Sequence, residues 1–374
     1  MNNYNPIGLS KFELDTPCLV IDKNKLLHNL QLMQQHALEH NVQVRPHVKT
    51  HKCSKLAALQ LQYGAIGISA AKVAEAEVLI AAGIQYILIT SPVVTPTKIT
   101  RLLNCVKQAP ETMIVVDNQN NVATLNAAAQ AEQIKINVLI DIDPGIGRTG
   151  IKPEKALELG RFIQSCQGLD LKGLQCYAGN LQHIKSYEER RKSSLEVMEM
   201  ASNFVKEFRQ EELPCSILTG SGTGTYDIDI EAPEVTEIQP GSYTVMDVDY
   251  AVIGSKENPN YFHTFQPAMT LLTTVISANR REHVTVDAGT KSIYVDKHQP
   301  KIIKPKGLSY DWGGFGDEHG KIMTIDGELP KLGEVLELIV PHCDPTINLF
   351  DKFFICENDI VVDCWDIDLR GKSQ

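Results

Sequence analysis

Eight short apolar runs that alternate with stretches of helical pattern limit the fold of this chain more than any other feature. The first lies within Asn41 to Lys52 (NVQVRPHVKTHK). The others are Ala65 to Ala70, Tyr86 to Thr90, Thr112 to Asp117, Ile136 to Ile142, Leu171 to Tyr177, Cys215 to Thr219 and Thr236 to Gln239. Helical stretches such as Lys72 to Ala82, Thr97 to Lys107, Val122 to Glu132, Pro153 to Cys166 and Ser186 to Glu212 separate most of them. Strands alternating with helices imply parallel βαβ connections, and eight units in about 200 residues fit an α/β fold of the (β/α)8 TIM-barrel type. A doubly wound open sheet is the alternative, because a strand count does not establish closure. Another strand and helix, Thr16 to Asp22 and Lys23 to about His40, come first.

From about Tyr261 the pattern changes to period two. AMTLLTTVISA, HVTVDAG, KSIYVD, KIMTID, GEVLELIVPH and DIVVDCWDI read as strands with turns such as Asp326-Gly327 between them, a β-rich second domain over the last third of the chain. A formal net charge of −10 and the absence of a basic tract argue against a nucleic-acid binder. No apolar run approaches the roughly 20 residues of a membrane span, and the polar start lacks the pattern of a signal peptide. The nine cysteines show no C-x-x-C spacing and read as reduced thiols of a cytoplasmic protein.

A barrel builds its chemistry at the C-terminal ends of its strands. Lys49, Thr90, Asp117, Asp141 with Asp143, Tyr177 and Thr219 fall at such ends, although each alone reads equally as a cap or turn former. In the first strand Arg45, His47 and Lys49 share one face. Inward-facing charges need a partner, so the row points to an enclosed site for an anion, the alternative being an edge strand with a solvated basic face. Two glycine turns, TGSGTG (Thr219 to Gly224) and QPGSY (Gln239 to Tyr243), follow the seventh and eighth strands, where barrels often bind phosphate. Either turn singly is explained by tight-turn geometry. A strand-end lysine with a phosphate cradle points to pyridoxal phosphate, or to a sugar-phosphate aldolase. In VPHCDPT, His342 and Asp344 would share one side of an extended segment. The pair suits a divalent metal, magnesium or manganese rather than zinc; the plainer alternative is a histidine packed near a turn aspartate.

RPHVKTHK, DIDPGIGRTG, GLQCYAGNLQH, TGSGTGTYD, PGSYTVMDVDY and PHCDPT together resemble the fold type III pyridoxal-phosphate family of D-threonine aldolases, D-3-hydroxyaspartate aldolases and eukaryotic-type D-serine dehydratases. The resemblance implies an alanine racemase-like architecture. A barrel would cover residues 16–257, and a β-domain of residues 1–15 with 258–374 would carry the metal ligands. It implies that Lys49, rather than Lys52, carries the cofactor. Arg148 would sit near the phenolic oxygen and Tyr177 opposite the pyridine nitrogen. Gly222, Thr223, Gly241 and Ser242 would hold the phosphate, with Ser221 and Tyr243 also in the cofactor site, and His342 and Asp344 would bind the metal. His319 also matches a family motif without an assigned role. A homodimer is expected by the same resemblance.

Within that family the dehydratases show cysteine two residues after the metal histidine, where this chain has Asp344; Cys343 should point away. The expected reaction is therefore metal-dependent retro-aldol cleavage of a D-3-hydroxy amino acid to glycine and an aldehyde, as in D-threonine aldolase, with His183 or a metal-bound hydroxide as base. The alternatives are a D-3-hydroxyaspartate aldolase, a D-serine or D-threonine dehydratase and, from another class, a non-catalytic pyridoxal-phosphate-binding protein.

Overall fold

Eight parallel strands follow one another around a barrel. In the computed structural model, which describes residues 5–374, the chain opens with β1 (Cys18–Asp22) and α1 (Lys23–Glu39). The barrel units follow as β2 (Gln43–Val44) and α2 (Ser54–Gln62), β3 (Ile68–Ala70) and α3 (Val73–Ala81), β4 (Ile87–Ile89) and α4 (Pro96–Gln108), β5 (Met113–Val116) and α5 (Gln119–Ala131). They continue through β6 (Ile136–Asp141) and α6 (Ala156–Gln164), β7 (Leu169–Cys176) and α7 (Tyr187–Gln210), β8 (Ile217–Gly220) and β9 (Glu237–Ile238). The ladder runs β2-β9-β8-β7-β6-β5-β4-β3. Closure comes from three bonds between the first strand's extension and the segment around β3. Ile66 N–H donates to Val44 C=O at 3.0 Å, Ser69 N–H to Pro46 C=O at 2.9 Å and Val48 N–H to Ser69 C=O at 2.9 Å. The sheet is a barrel and not an open doubly wound sheet.

The basic strand is shorter than its alternation implies. Pro46 has no N–H to donate, so regular pairing stops at Val44; His47 is a lone bridge to Ser69, and the chain turns from Lys49. Arg45 does not face an anionic ligand. Its guanidinium lies inside the barrel in a two-pronged ion pair with Glu237 at 2.9 and 2.8 Å and donates a third bond to Tyr86 C=O at 2.7 Å. Gly67 leaves room for that fork, since a Cβ there would lie 2.1 Å from Arg45 Nη1. Beside the pair, Leu88, Met113, Val115 and Leu139 pack with Ile217 as the apolar filling.

The other strands form one nine-stranded sheet. After α8 (Val248–Ala251) come β10 (Met269–Ser277), β11 (Val284–Val286), β12 (Lys301–Lys304), β13 (Leu308–Asp311), β14 (Gly320–Thr324) and β15 (Val335–Ile339). Then follow α9 (Cys343–Ile347), β16 (Lys352–Glu357) and β17 (Ile360–Asp366). β1 pairs antiparallel with β10 and parallel with β16, so its largely buried residues belong to this sheet. The compact units accordingly divide differently from the expected 16–257 and 258–374. One comprises residues 33–49, 56–241 and 372–374, and the other the described residues through Leu32 with 50–55 and 242–371. KSIYVD is not a strand. Ser292 and Ile293 N–H both bond back to Gly289 C=O, which folds the segment into a turn.

Candidate active site

In the barrel unit the inward strand ends form a polar layer. Gln239 Nε2 donates to Thr219 Oγ1 at 2.9 Å and to Gln175 Oε1 at 3.3 Å, and Gln175 Nε2 donates to Asp141 Oδ1 at 2.9 Å. The Gln239–Gln175 bond, between strands that are not neighbours in the ladder, places these groups inside the barrel. Lys49 lies in the turn that follows the first strand, half-buried, and its N–H donates to His47 Nδ1 at 3.3 Å. That bond fixes the imidazole tautomer: His47 Nε2–H donates to Thr90 Oγ1 at 3.0 Å, and Thr90 passes its own proton to Ala70 C=O at 3.3 Å. The backbone carrying Lys49 is thereby tied to a buried chain of donors.

The strand-end aspartates serve the loop that carries Arg148. Asp143 Oδ1 accepts the N–H groups of Gly145, Ile146 and Gly147, Asp117 accepts Gly150 N–H at 3.0 Å, and Asp141 Oδ2 accepts the Thr149 hydroxyl at 2.8 Å. These carboxylates are loop anchors, and what they position is the Arg148 guanidinium, 5.4 Å from the centre of the Tyr177 ring. Burial pushes the Asp141 carboxyl up to about 6, against the bonds from Gln175 and Thr149 that favour its charged form. The native state therefore binds this proton more tightly than the unfolded chain, so Asp141 contributes stability at low pH that is lost as pH rises through about 6. Relative to Asp141→Asn, the wild-type denaturation midpoint is expected to fall between about pH 4 and 6 and to stay level above. Parallel urea titrations of the two proteins measure it.

The glycine turn after β8 is built to a tight tolerance. A Cβ on Gly222 would lie 2.4 Å from Gln182 Oε1 and one on Gly224 2.1 Å from the Gln182 carbonyl. Gln182 accepts Gly224 N–H at 3.0 Å and donates to Thr225 Oγ1 at 3.0 Å. Thr225 and Ser194 both donate to Asp229, whose carboxyl burial pushes up to about 6, and the buried Arg190 donates to Gly224 C=O. Ser221 holds φ 68°, a left-handed conformation costing a serine about 1–3 kcal/mol. Such a residue in a turn lets successive N–H groups converge on an anion. Ser221, Gly222, Thr223, Gly241, Ser242 and Tyr243 are all buried. His183 lies one residue beyond Gln182, half-buried, after the short 3-10 turn Gly179–Leu181. Sequence reasoning missed Gln175, Gln182, Arg190, Asp229 and Gln239. Polar residues at inward strand ends were the available signal for the two strand glutamines.

In the other unit, His342 is the N-cap of α9 and Asp344 the second helical residue, so the two do not share one face of an extended strand. The helix begins at Cys343 because its N–H donates to the buried Asp247 carboxylate at 2.9 Å. Cys343 is fully buried and its thiol is pushed well above its ordinary range by burial, while His342 and Asp344 stay half-exposed. The Cys343 thiol does not point away from the pair as an extended segment would have it: in the helix its Sγ donates to Asp344 Oδ1 at 3.5 Å. Ser242 Oγ lies 3.5 Å from Asp344 Oδ1. His319 is exposed just before β14.

The residues fit both implied groups. In the barrel unit the buried hydroxyls of Ser221 and Thr223, with Ser221 in a left-handed conformation, suit a phosphate monoester, and Arg148 lies beside Tyr177; in the other unit the Ser242 hydroxyl is likewise buried. Among the described residues no three His, Cys, Asp or Glu side chains form a metal cluster. One imidazole and one carboxylate suit a hard cation that keeps most of its shell for water and substrate. No helix of the described residues is long and apolar enough to cross a membrane.

Residues 21–249 match the model of the alanine racemase N-terminal domain, and residues 268–356 match a putative serine dehydratase domain. The chain is 36% identical to a D-threonine aldolase of an Arthrobacter species over 96% of its own length and 94% of that protein. It is 33% identical to a 3-hydroxy-D-aspartate aldolase of Paracoccus denitrificans, covering 98% and 95%. The crystal structure of D-threonine aldolase from Filomicrobium marinum superposes with a TM-score of 0.93 at 33% identity, covering 100% of both chains. The chain thus belongs to the alanine racemase-like enzyme family that contains D-threonine aldolase and 3-hydroxy-D-aspartate aldolase.

Proposed function

We propose that this protein cleaves the Cα–Cβ bond of D-3-hydroxy amino acids, D-threonine first among them, to glycine and an aldehyde, using pyridoxal phosphate and a divalent metal. The observation that carries the reading is the donor pair at α9: Asp344 offers a carboxylate beside His342, while Cys343 is buried with its thiol held protonated. An oxygen donor favours manganese or magnesium over the softer zinc site expected of a dehydratase.

Pyridoxal phosphate, when bound, supplies the sink for the electron pair released by bond cleavage, and the metal supplies Lewis acidity. Lys49 would hold the cofactor through its amino group. Ser221, Gly222, Thr223, Gly241 and Ser242 would grip the phosphate, and Tyr243 would also belong to the cofactor site. Arg148 and Tyr177, stacked on one another, would help to hold the cofactor's ring. His342 and Asp344 hold the metal, and His183 takes the proton from the substrate's β-hydroxyl. The nine cysteines are all free thiols, which supports a reducing, cytoplasmic setting, and the relatives' family supports a homodimer.

A dehydratase is the second reading, favoured by the dehydratase-type model over residues 268–356. Incubating the protein with pyridoxal phosphate, manganese and D-threonine, with and without a chelator, separates the two. Glycine and acetaldehyde are expected, with turnover abolished by chelation and restored by manganese. 2-Oxobutyrate and ammonia would establish the dehydratase instead. No product from either D-threonine or D-3-hydroxyaspartate would leave a non-catalytic cofactor-binding protein.

A further inference from the structure

The segment holding His342 is fastened to the first turn of α8 along its length. Val248 N–H donates to Val340 C=O at 3.1 Å, Asp249 N–H to Pro341 C=O at 3.0 Å, and Cys343 N–H to the Asp247 side chain at 2.9 Å. Asp247 is also the N-cap of α8, accepting Tyr250 N–H at 2.9 Å. On the other flank Thr346 Oγ1 donates to His342 C=O at 2.8 Å and accepts Tyr294 N–H at 3.2 Å, and the Tyr294 ring stands edge-on to the imidazole at 6.4 Å. The backbone of His342 is therefore fixed from both sides.

The Asp249 carboxylate stands where it can orient the imidazole. Asp249 Oδ2 lies 3.7 Å from His342 Nδ1, and Asp249 Oδ1 is bound to His298 Nδ1 at 2.6 Å. The Asp249 side chain is 11% exposed, against 32% for His342 and 39% for His298, so the carboxylate sits inward of both rings. A shift of about 1 Å in the ring would bring His342 Nδ1 into full hydrogen-bond range. A carboxylate on one imidazole nitrogen fixes the tautomer, orients the ring and makes the opposite nitrogen a better donor to a metal.

We propose that Asp249, steadied by His298, is a positioning residue for His342, turning Nε2 toward the divalent cation. This rests on the metal-dependent reading above. It adds two residues that neither metal-ligand spacing nor the strand-end pattern singles out.

The test titrates the pyridoxal-phosphate-loaded protein with Mn2+ and follows free and bound ion by electron paramagnetic resonance, without substrate. Asp249→Ala is expected to weaken binding by about 10–100-fold and to change the line shape of the ion that still binds. Asp249→Asn, whose carbonyl can still accept from Nδ1–H, is expected to lose less. His298→Ala, on the exposed side, is expected to lose less than about 10-fold and leaves the core intact if Asp249→Ala fails to fold. Affinities within about twofold of wild type in all three variants would overturn the proposal. So would loss of the ion in Asp249→Ala as complete as in His342→Ala, since Asp249 would then be a direct ligand. If the wild-type protein itself takes up no Mn2+, the metal-dependent reading fails and the positioning role falls with it.

Discussion

Lys49→Ala is expected to lower turnover of D-threonine by more than about a thousandfold, the scale seen when an enzyme loses the group that forms its covalent link. The same variant should lose the visible absorption that marks lysine-bound pyridoxal phosphate, as read on the purified protein with added cofactor. The expectation rests on the place of Lys49 in the turn that follows the first barrel strand, with its N–H tied to the His47–Thr90–Ala70 chain. Lys52 is the control. It lies past the strand in a left-handed conformation, φ 52°, and its carbonyl accepts the N–H of Leu369, a residue of the same compact unit. Lys52→Gln is expected to keep the absorption band and most of the turnover. A band that survives in Lys49→Ala and disappears in Lys52→Gln would transfer the role to Lys52.

The largest effect on stability is expected from Arg45→Met, which should cost about 3–5 kcal/mol by leaving the Glu237 carboxylate buried without its cation. The two side chains are 5% and 6% exposed and share a two-pronged contact, so removal of one partner leaves a charge that water cannot reach. Arg45→Met with Glu237→Leu should recover most of the loss, because two apolar side chains of similar volume need no solvation inside the barrel. Chemical denaturation of the single and double variants measures both. A double variant as unstable as the single one would mean that the pair contributes through the bond to Tyr86 C=O, and not through the charge left on Glu237.

Arg45 also marks the limit of what could be read along the strand. The alternation correctly put Arg45, His47 and Lys49 on one face, because side chains in extended backbone alternate whatever surrounds them. It could not tell which of the three would find a partner within the protein. Glu237 lies 192 residues away, on the strand that closes the barrel next to β2, and only that closure brings the two together. The acidic strand ends carry the same lesson. Asp117, Asp141 and Asp143 stand where a barrel places its chemistry, yet each gives at least one oxygen to the loop that presents Arg148. Around His342, two-residue spacing implied a shared face, but the Asp247 carboxylate starts a helix at Cys343 and changes the geometry.

The sequence by itself determined the eight strand units, the β-rich last third and the residue types of the candidate site. Those depend on local periodicity, on glycine at turns and on motifs that stand contiguous in the chain. Tertiary structure decided the closure of the barrel, the capture of β1 by the second sheet and the pairing of Arg45. It also brought Gln182, Asp229, Asp249 and His298 to their places behind the motifs. Those outcomes depend on contacts between residues far apart in sequence, where a buried polar group takes whichever partner the fold delivers.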